Sequence, residues 1–338
     1  MTSLVTGAGG FIGSHVVEQL LADRVEVRAL LRRADRAAEW RQRGINVVVG
    51  DIRDPDLVQT AARDVDVIYH CAAATGDRCT REAIYATGLT GLQNELEALR
   101  QQGAGRLVLL SGLSVLGLRN YAGPSEELPL RRSGDPEIDV KVDAEQLALD
   151  YARRHGVAVT ILRTGFIYGP GDRRNLPKLV DAVRGGKLVY IGTRHNVLPL
   201  VHISDMVQAL LLAGRSTGAG GRIYHITDGS RTTIGELASF LAGCLGCRPP
   251  GFVLPYFLPY VGCVGFELLS RLWGGPVPAP ISRSELLFLG TSRFVDVSRA
   301  RSELGYVPRV GYRDGLPPAL QWINEQSYVN ANVAVSGA

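Results

Sequence analysis

Short apolar runs bounded by glycine and polar clusters alternate with stretches of helical periodicity through the first half of the chain. That alternation predicts βαβ units and a doubly wound parallel sheet, an α/β fold. Ser3-Leu4-Val5-Thr6 reads as a first strand, and after a glycine turn Val16, Val17, Leu20 and Leu21 recur at helical spacing. Val25–Leu31 alternates as a second strand, with Asn46–Val49 and Val65–Tyr69 as the third and fourth. A helix over Thr90–Gln101 and a fifth strand over Arg106–Ser111 follow. The most apolar stretch lies much later, FVLPYFLPYVGCVGFELLSRLW at 252–273, where prolines, glycines and the pair Glu267 and Arg271 break the run and make it a poor membrane span. A core helix and a surface-bound amphipathic helix are the open readings of that stretch.

The first turn carries the clearest chemistry. Three glycines at G-x-x-G-x-x-G spacing, Gly7, Gly10 and Gly13, join a strand to a helix that opens on Phe11 and Ile12. Gly7 permits the tight turn, Gly10 lets a pyrophosphate approach bare backbone N–H groups, and Gly13 lets the helix lie close on the strand. The second strand ends in Arg32-Arg33, about twenty residues on, where arginine pairs with a 2′-phosphate and an acidic residue would accept from a 2′-hydroxyl. NADPH is therefore the expected cofactor, although a merely solvated basic strand end fits too, given Arg28 and Arg36 nearby. Asp51 and Ile52 after the third strand, and Cys71, Ala72 and Ala73 after the fourth, are expected at the same edge, Asp51 toward the adenine amine and the small residues beneath the ribose.

Composition changes this picture little. Of 37 Lys and Arg residues only Lys141, Lys178 and Lys187 are lysines, and the arginines are scattered, which argues against a nucleic-acid surface. Five cysteines without regular spacing fit a reducing compartment, and Cys244 and Cys247 lack a second pair or a nearby histidine, so no metal is expected and both read as buried small apolar residues. A strand starting beside the initiator methionine leaves no signal peptide in view, and the expected location is cytoplasmic. Small, polar residues over 329–338 predict an irregular tail.

The motifs TGAGGFIG at 6–13, GDIRDP at 50–55, VIYHCAAA at 67–74, LRTGFIYGPGD at 162–172, VHISD at 201–205 and LGYVPRV at 304–310 occur in an order that resembles the extended short-chain dehydrogenase/reductase family, over nearly the whole chain. The resemblance implies a Rossmann-type domain over 1–170 whose sheet is completed by about 196–240, a substrate region over 171–195 and 241–325, and a tail over 326–338. It further implies strands near Val157–Arg163 and Arg222–Ile226, and a nicotinamide beside Thr164, Gly165 and Phe166.

In such proteins a Ser or Thr after strand five polarises a carbonyl, a tyrosine moves the proton, and a lysine four residues later binds ribose and lowers the tyrosine pKa. Here Gly112 stands at the hydroxyl position, Glu137 at the tyrosine and Lys141 at the lysine, and Gly88 replaces an asparagine on the preceding helix. Asp135-Pro136 caps the helix, and Glu137 and Lys141 are spaced for an i,i+4 ion pair, so Glu137 reads as a structural carboxylate. Lys141 and Ser114 remain the candidate catalytic groups, with Ser111 at the cofactor edge or holding a water. A general acid adds only about 10² to 10⁴ in rate, so reduction survives its loss where the substrate brings its own donor, such as a phenol beside the ketone.

The resemblance implies that the 252–273 stretch folds over the substrate, where an aromatic lid of Phe252, Tyr256, Phe257, Tyr260, Phe266 and Trp273 suits a flat polycyclic molecule, and Tyr121, Tyr168, Tyr256 and Phe257 are the expected substrate contacts. Within the family the chain resembles angucyclinone ketoreductases of antibiotic biosynthesis, of the simocyclinone type. The resulting expectation is an NADPH-dependent ketoreductase of a polycyclic aromatic polyketide ketone, monomeric or homodimeric. Two rivals stand beside it: a hydroxysteroid or sugar-nucleotide enzyme whose acid is displaced to Tyr121, Tyr168 or His195, and a non-catalytic NADP(H)-binding sensor.

Overall fold

The computed structural model describes residues 1–76, 79–263 and 283–336. Seven strands form one all-parallel sheet: β1 (Thr2–Thr6), β2 (Glu26–Leu31), β3 (Asn46–Val49), β4 (Val67–His70), β5 (Arg106–Gly112), β6 (Ala158–Thr164) and β7 (Ile223–Ile226). Their spatial order is β7-β6-β5-β4-β1-β2-β3, so the direction of winding reverses between β1 and β4. Parallel strands need cover on both faces, which is why their sequences are continuous apolar runs. On one face Val16, Val17 and Leu20 of the Phe11–Ala22 helix pack with Met206, Val207 and Leu210 of the Ile203–Arg215 helix. On the other, Val58, Leu92, Leu96, Ala144 and Ala148 come from helices Pro55–Ala62, Gly91–Gln102 and Pro136–His155.

A third apolar cluster lies outside the sheet. It joins Leu176 and Val180 of the Asn175–Arg184 helix, Ile234, Leu237 and Leu241 of the Ile234–Leu245 helix, and Leu316 and Ala319 of the Tyr312–Ser336 helix. Three expectations change. The backbone stays helical through Ser336 where an irregular tail was expected. Cys244 is exposed and Cys247 half-buried, because the Ile234–Leu245 helix turns Leu237, Ala238, Leu241 and Ala242 inward and leaves its last turn at the surface. Of the apolar stretch, 253–254 is a short strand and 257–263 is helical, while Phe266, Glu267, Arg271 and Trp273 lie outside the described residues.

Candidate active site

A cleft of about 1510 Å³ runs along the C-terminal edge of the sheet, where ligands of doubly wound folds bind. The volume exceeds the roughly 300–1000 Å³ that a drug-sized ligand fills.

The glycine turn shapes one end. Gly7 has φ +62°, and a Cβ there would fall 2.6 Å from the Cys71 carbonyl oxygen. A Cβ on Gly13 would fall 2.3 Å from the Gly7 carbonyl oxygen, so bare glycine sets the approach of helix to strand. The helix starts at Gly10 with no side-chain cap and no acidic residue in its first turn, leaving its N–H groups and positive dipole end to an anion. Gly7, Gly10, Phe11, Ile12 and Gly13 line the cleft, as do Arg32, Arg33, Asp51, Ile52, Cys71, Ala72 and Ala73. The Asp51 carboxylate is gripped by Arg53, whose Nε and Nη2 donate at 2.9 and 2.6 Å, and that bond holds it below the usual carboxylate range. Farther along stand Ser111, Ser114, Lys141, Thr164, Gly165 and Phe166. The glycine cradle and the open helix end fit a nicotinamide dinucleotide.

Around Lys141 the vacancies are filled by packing. A Cβ built on Gly112 would lie 3.3 Å from Lys141 Nζ and 3.4 Å from Ser114 Oγ, which puts amine and hydroxyl on either side of the missing side chain. Burial lowers the Lys141 pKa against the pull of Glu137 and Glu145. A Cβ on Gly88 would meet Val140 Cγ2 at 2.6 Å, so asparagine is sterically shut out there. Ser111 is committed elsewhere: its hydroxyl donates to Glu145 Oε1 at 2.5 Å, and Glu145 is held by Arg163 through Nε at 3.0 Å and Nη2 at 2.7 Å.

Glu137 departs from its expected partner. Rather than pairing with Lys141, its carboxylate accepts from Arg174 Nη1 at 3.1 Å and Nη2 at 3.0 Å, and from the Gly76 N–H at 2.9 Å. The planar fork of Arg174, delivered by the turn before the Asn175–Arg184 helix, fits both carboxylate oxygens, which a lysine amine cannot do. Burial pushes the Glu137 pKa up, but Arg174 and Gly76 outweigh it and hold the group below the usual range. Ionised, Glu137 has no proton to donate.

The expected substrate residues are not on the cleft wall. Tyr168 is 1 % exposed and packs edge-on against His202. Tyr121 buries its hydroxyl beside Arg293. Tyr256 stacks on Tyr260 at 6.0 Å, and Phe257 is 63 % exposed to solvent. Tyr168 and Tyr121 serve packing here, and the lid residues Tyr256 and Phe257 do not line the cleft. Among the described residues no tyrosine lines it, nor does His195. Its far end is instead walled by Phe166, Leu198, Ile234, Leu237, Phe288 and Trp322, with Arg173, Arg174, Lys178 and Arg293 as cations. Sequence reasoning missed Arg174, whose carboxylate partner lies 37 residues away along the chain, and Arg293, whose burial no local pattern signals.

Residues 3–227 match the model of the NAD dependent epimerase/dehydratase family. The chain is 28% identical over 323 residues to a 4-hydroxy-2-methyl-3-oxo-4-farnesyl-3,4-dihydroquinoline-1-oxide ketoreductase of Stigmatella aurantiaca, covering 94% of this chain and 95% of that protein. It is 29% identical over 327 residues to a 2-alkyl-3-oxoalkanoate reductase of Stenotrophomonas maltophilia, covering 94% and 97%. Among solved structures, a double mutant of the dTDP-glucose 4,6-dehydratase DesIV from Streptomyces venezuelae, with NAD and DAU bound, matches with a TM-score of 0.77 at 30% identity, covering 96% of this chain and 97% of that one. With its parallel sheet and glycine cradle, this chain belongs to the NAD dependent epimerase/dehydratase family.

Proposed function

We propose that the protein is an NADPH-dependent reductase of a polycyclic aromatic ketone bearing phenols, angucyclinone-like, in which the substrate protonates its own alkoxide. When bound, the cofactor supplies the hydride that adds to the carbonyl carbon. The observation that carries the reading is the Glu137–Arg174 clasp: the position expected to donate a proton is held as a carboxylate. What remains for the side chains is placement. Lys141 offers its side-chain nitrogen next to Gly112, Ser114 offers a hydroxyl, and Phe166 and Phe288 offer apolar faces to a flat skeleton. Holding a ketone in a fixed, dry geometry recovers much of the barrier without an acid. A phenol beside the ketone then closes the proton balance: hydride and proton together convert C=O to CH–OH, and the phenolate regains its proton from solvent.

Similarity to a ketoreductase of a fused-ring ketone supports the reaction class. Arg32, Arg33 and Arg36 along the cleft support NADPH. The experiment follows nicotinamide absorbance with phenolic polycyclic ketones and their O-methyl ethers. Phenols should be reduced and the ethers much more slowly; equal rates would refute substrate-borne protonation.

A further inference from the structure

Beyond Lys141 the cleft ends on a wall made by Phe166, Phe288 and Arg293. The two phenyl rings lie 6.3 Å apart with a tilt of 44°, and the Arg293 guanidinium carbon sits 4.2 Å from the centre of the Phe288 ring. Arg293 lies on a two-residue strand, Arg293–Phe294, paired in parallel with Tyr121–Ala122 so that Arg293 is opposite Tyr121. Its N–H donates to the Val197 carbonyl at 2.8 Å and its Nη2 to the Phe288 carbonyl at 2.7 Å, so the side chain is held in place.

That guanidinium is incompletely satisfied. Arg293 is 1 % exposed, its Nε has no partner, and among the described residues no carboxylate pairs with it. The Tyr121 hydroxyl lies beside it, away from the cleft wall. A buried cation is costly unless paired, and buried arginines are almost always paired. Arg293 lines the cleft with its Nε unpartnered, and the cleft is the opening that reaches it.

The geometry points to Arg293 as the recognition site for an anionic oxygen on the substrate's aromatic skeleton, a phenolate or aryl carboxylate distinct from the reacting carbonyl. This rests on the reading of the cleft as a site for a polycyclic ketone. The planar fork matches such an oxygen, and the ring that bears it lies against Phe288 and Phe166. Arg293 thereby selects among ketones by charge, while Lys141 and Ser114 face the reacting end.

The test is calorimetric titration of the full chain, loaded with NADP, by an anthraquinone bearing one carboxylate and by its carboxamide. Wild type should bind the carboxylate about 10- to 100-fold more tightly, the range expected of a charge-assisted hydrogen bond. Arg293→Met should abolish that preference with NADP affinity unchanged. Should Arg293→Met fail to fold, Arg293→Lys, which keeps the charge and loses the fork, should still show a reduced preference. Equal binding by wild type, binding of neither ligand, or a preference that survives every Arg293 substitution would overturn the proposal. No hydride moves in this assay, so a failure to reduce any ketone would strike the reductase reading alone and leave the anion site standing.

Discussion

Replacing Arg174 tests the idea that Glu137 is a structural carboxylate. The pair is bidentate, with Glu137 29 % and Arg174 38 % exposed at the side chain. Exposed pairs contribute at most about 1 kcal/mol, whereas breaking a buried pair costs about 3–5 kcal/mol, so a half-exposed pair with good geometry should couple by about 1–2 kcal/mol. Arg174 makes other contacts, so the pairwise part must be isolated with a double-mutant cycle of Arg174→Met and Glu137→Gln, read by urea unfolding. The sign with pH follows from the depressed Glu137 pKa. A carboxylate favoured in the folded state contributes above its unfolded value of about 4.3, and that contribution fades as the pH falls through the folded value. The coupling should therefore be full at neutral pH and shrink on acidification. A coupling near zero at neutral pH, or one independent of pH, would refute the clasp.

Other parts of the site make separate predictions. Arg33→Ser should raise the KM for NADPH by about tenfold, the value of one charged phosphate contact, while leaving the KM for NADH nearly unchanged in a steady-state comparison. Glu145→Ala strands the Arg163 guanidinium at 2 % exposure and should cost about 3–5 kcal/mol in chemical denaturation. Burial pushes the Cys71 thiol up to about 12, so maleimide mapping of the native protein at mildly alkaline pH should label exposed Cys244 well before Cys71.

The part of the architecture set by local rules was legible in the sequence. Strand β3 falls at Asn46–Val49 as its apolar run predicts, and β5 differs from the Arg106–Ser111 reading only by the added Gly112. Gly7 and Gly13 could be assigned because a strand-to-helix turn with close backbone contacts tolerates no side chain there. Lys141 was assigned through the resemblance of VKVDAEQ at 140–146 to the family's lysine helix, and it lies beside Gly112 on the Pro136–His155 helix. What escaped depends on contacts between distant segments. The Glu137–Arg174 pair spans 37 residues, and an i,i+4 lysine looked the better partner because helical spacing is visible and tertiary proximity is not. Tyr168 and Tyr121 looked like substrate aromatics because apolar surface has no address in a sequence, and both are spent on the core. Arg293 showed no signal at all, being one arginine among scattered others until burial singled it out.

The central claim is tested most directly by one ratio: the rate of NADPH oxidation with a polycyclic ketone carrying an adjacent phenol, divided by that with its O-methyl ether. The account predicts a ratio of about 10² or more, the lower end of what a general acid contributes, unchanged in Glu137→Gln. A ratio near one, or a ratio that collapses in Glu137→Gln, would contradict it and place the proton donor in the protein.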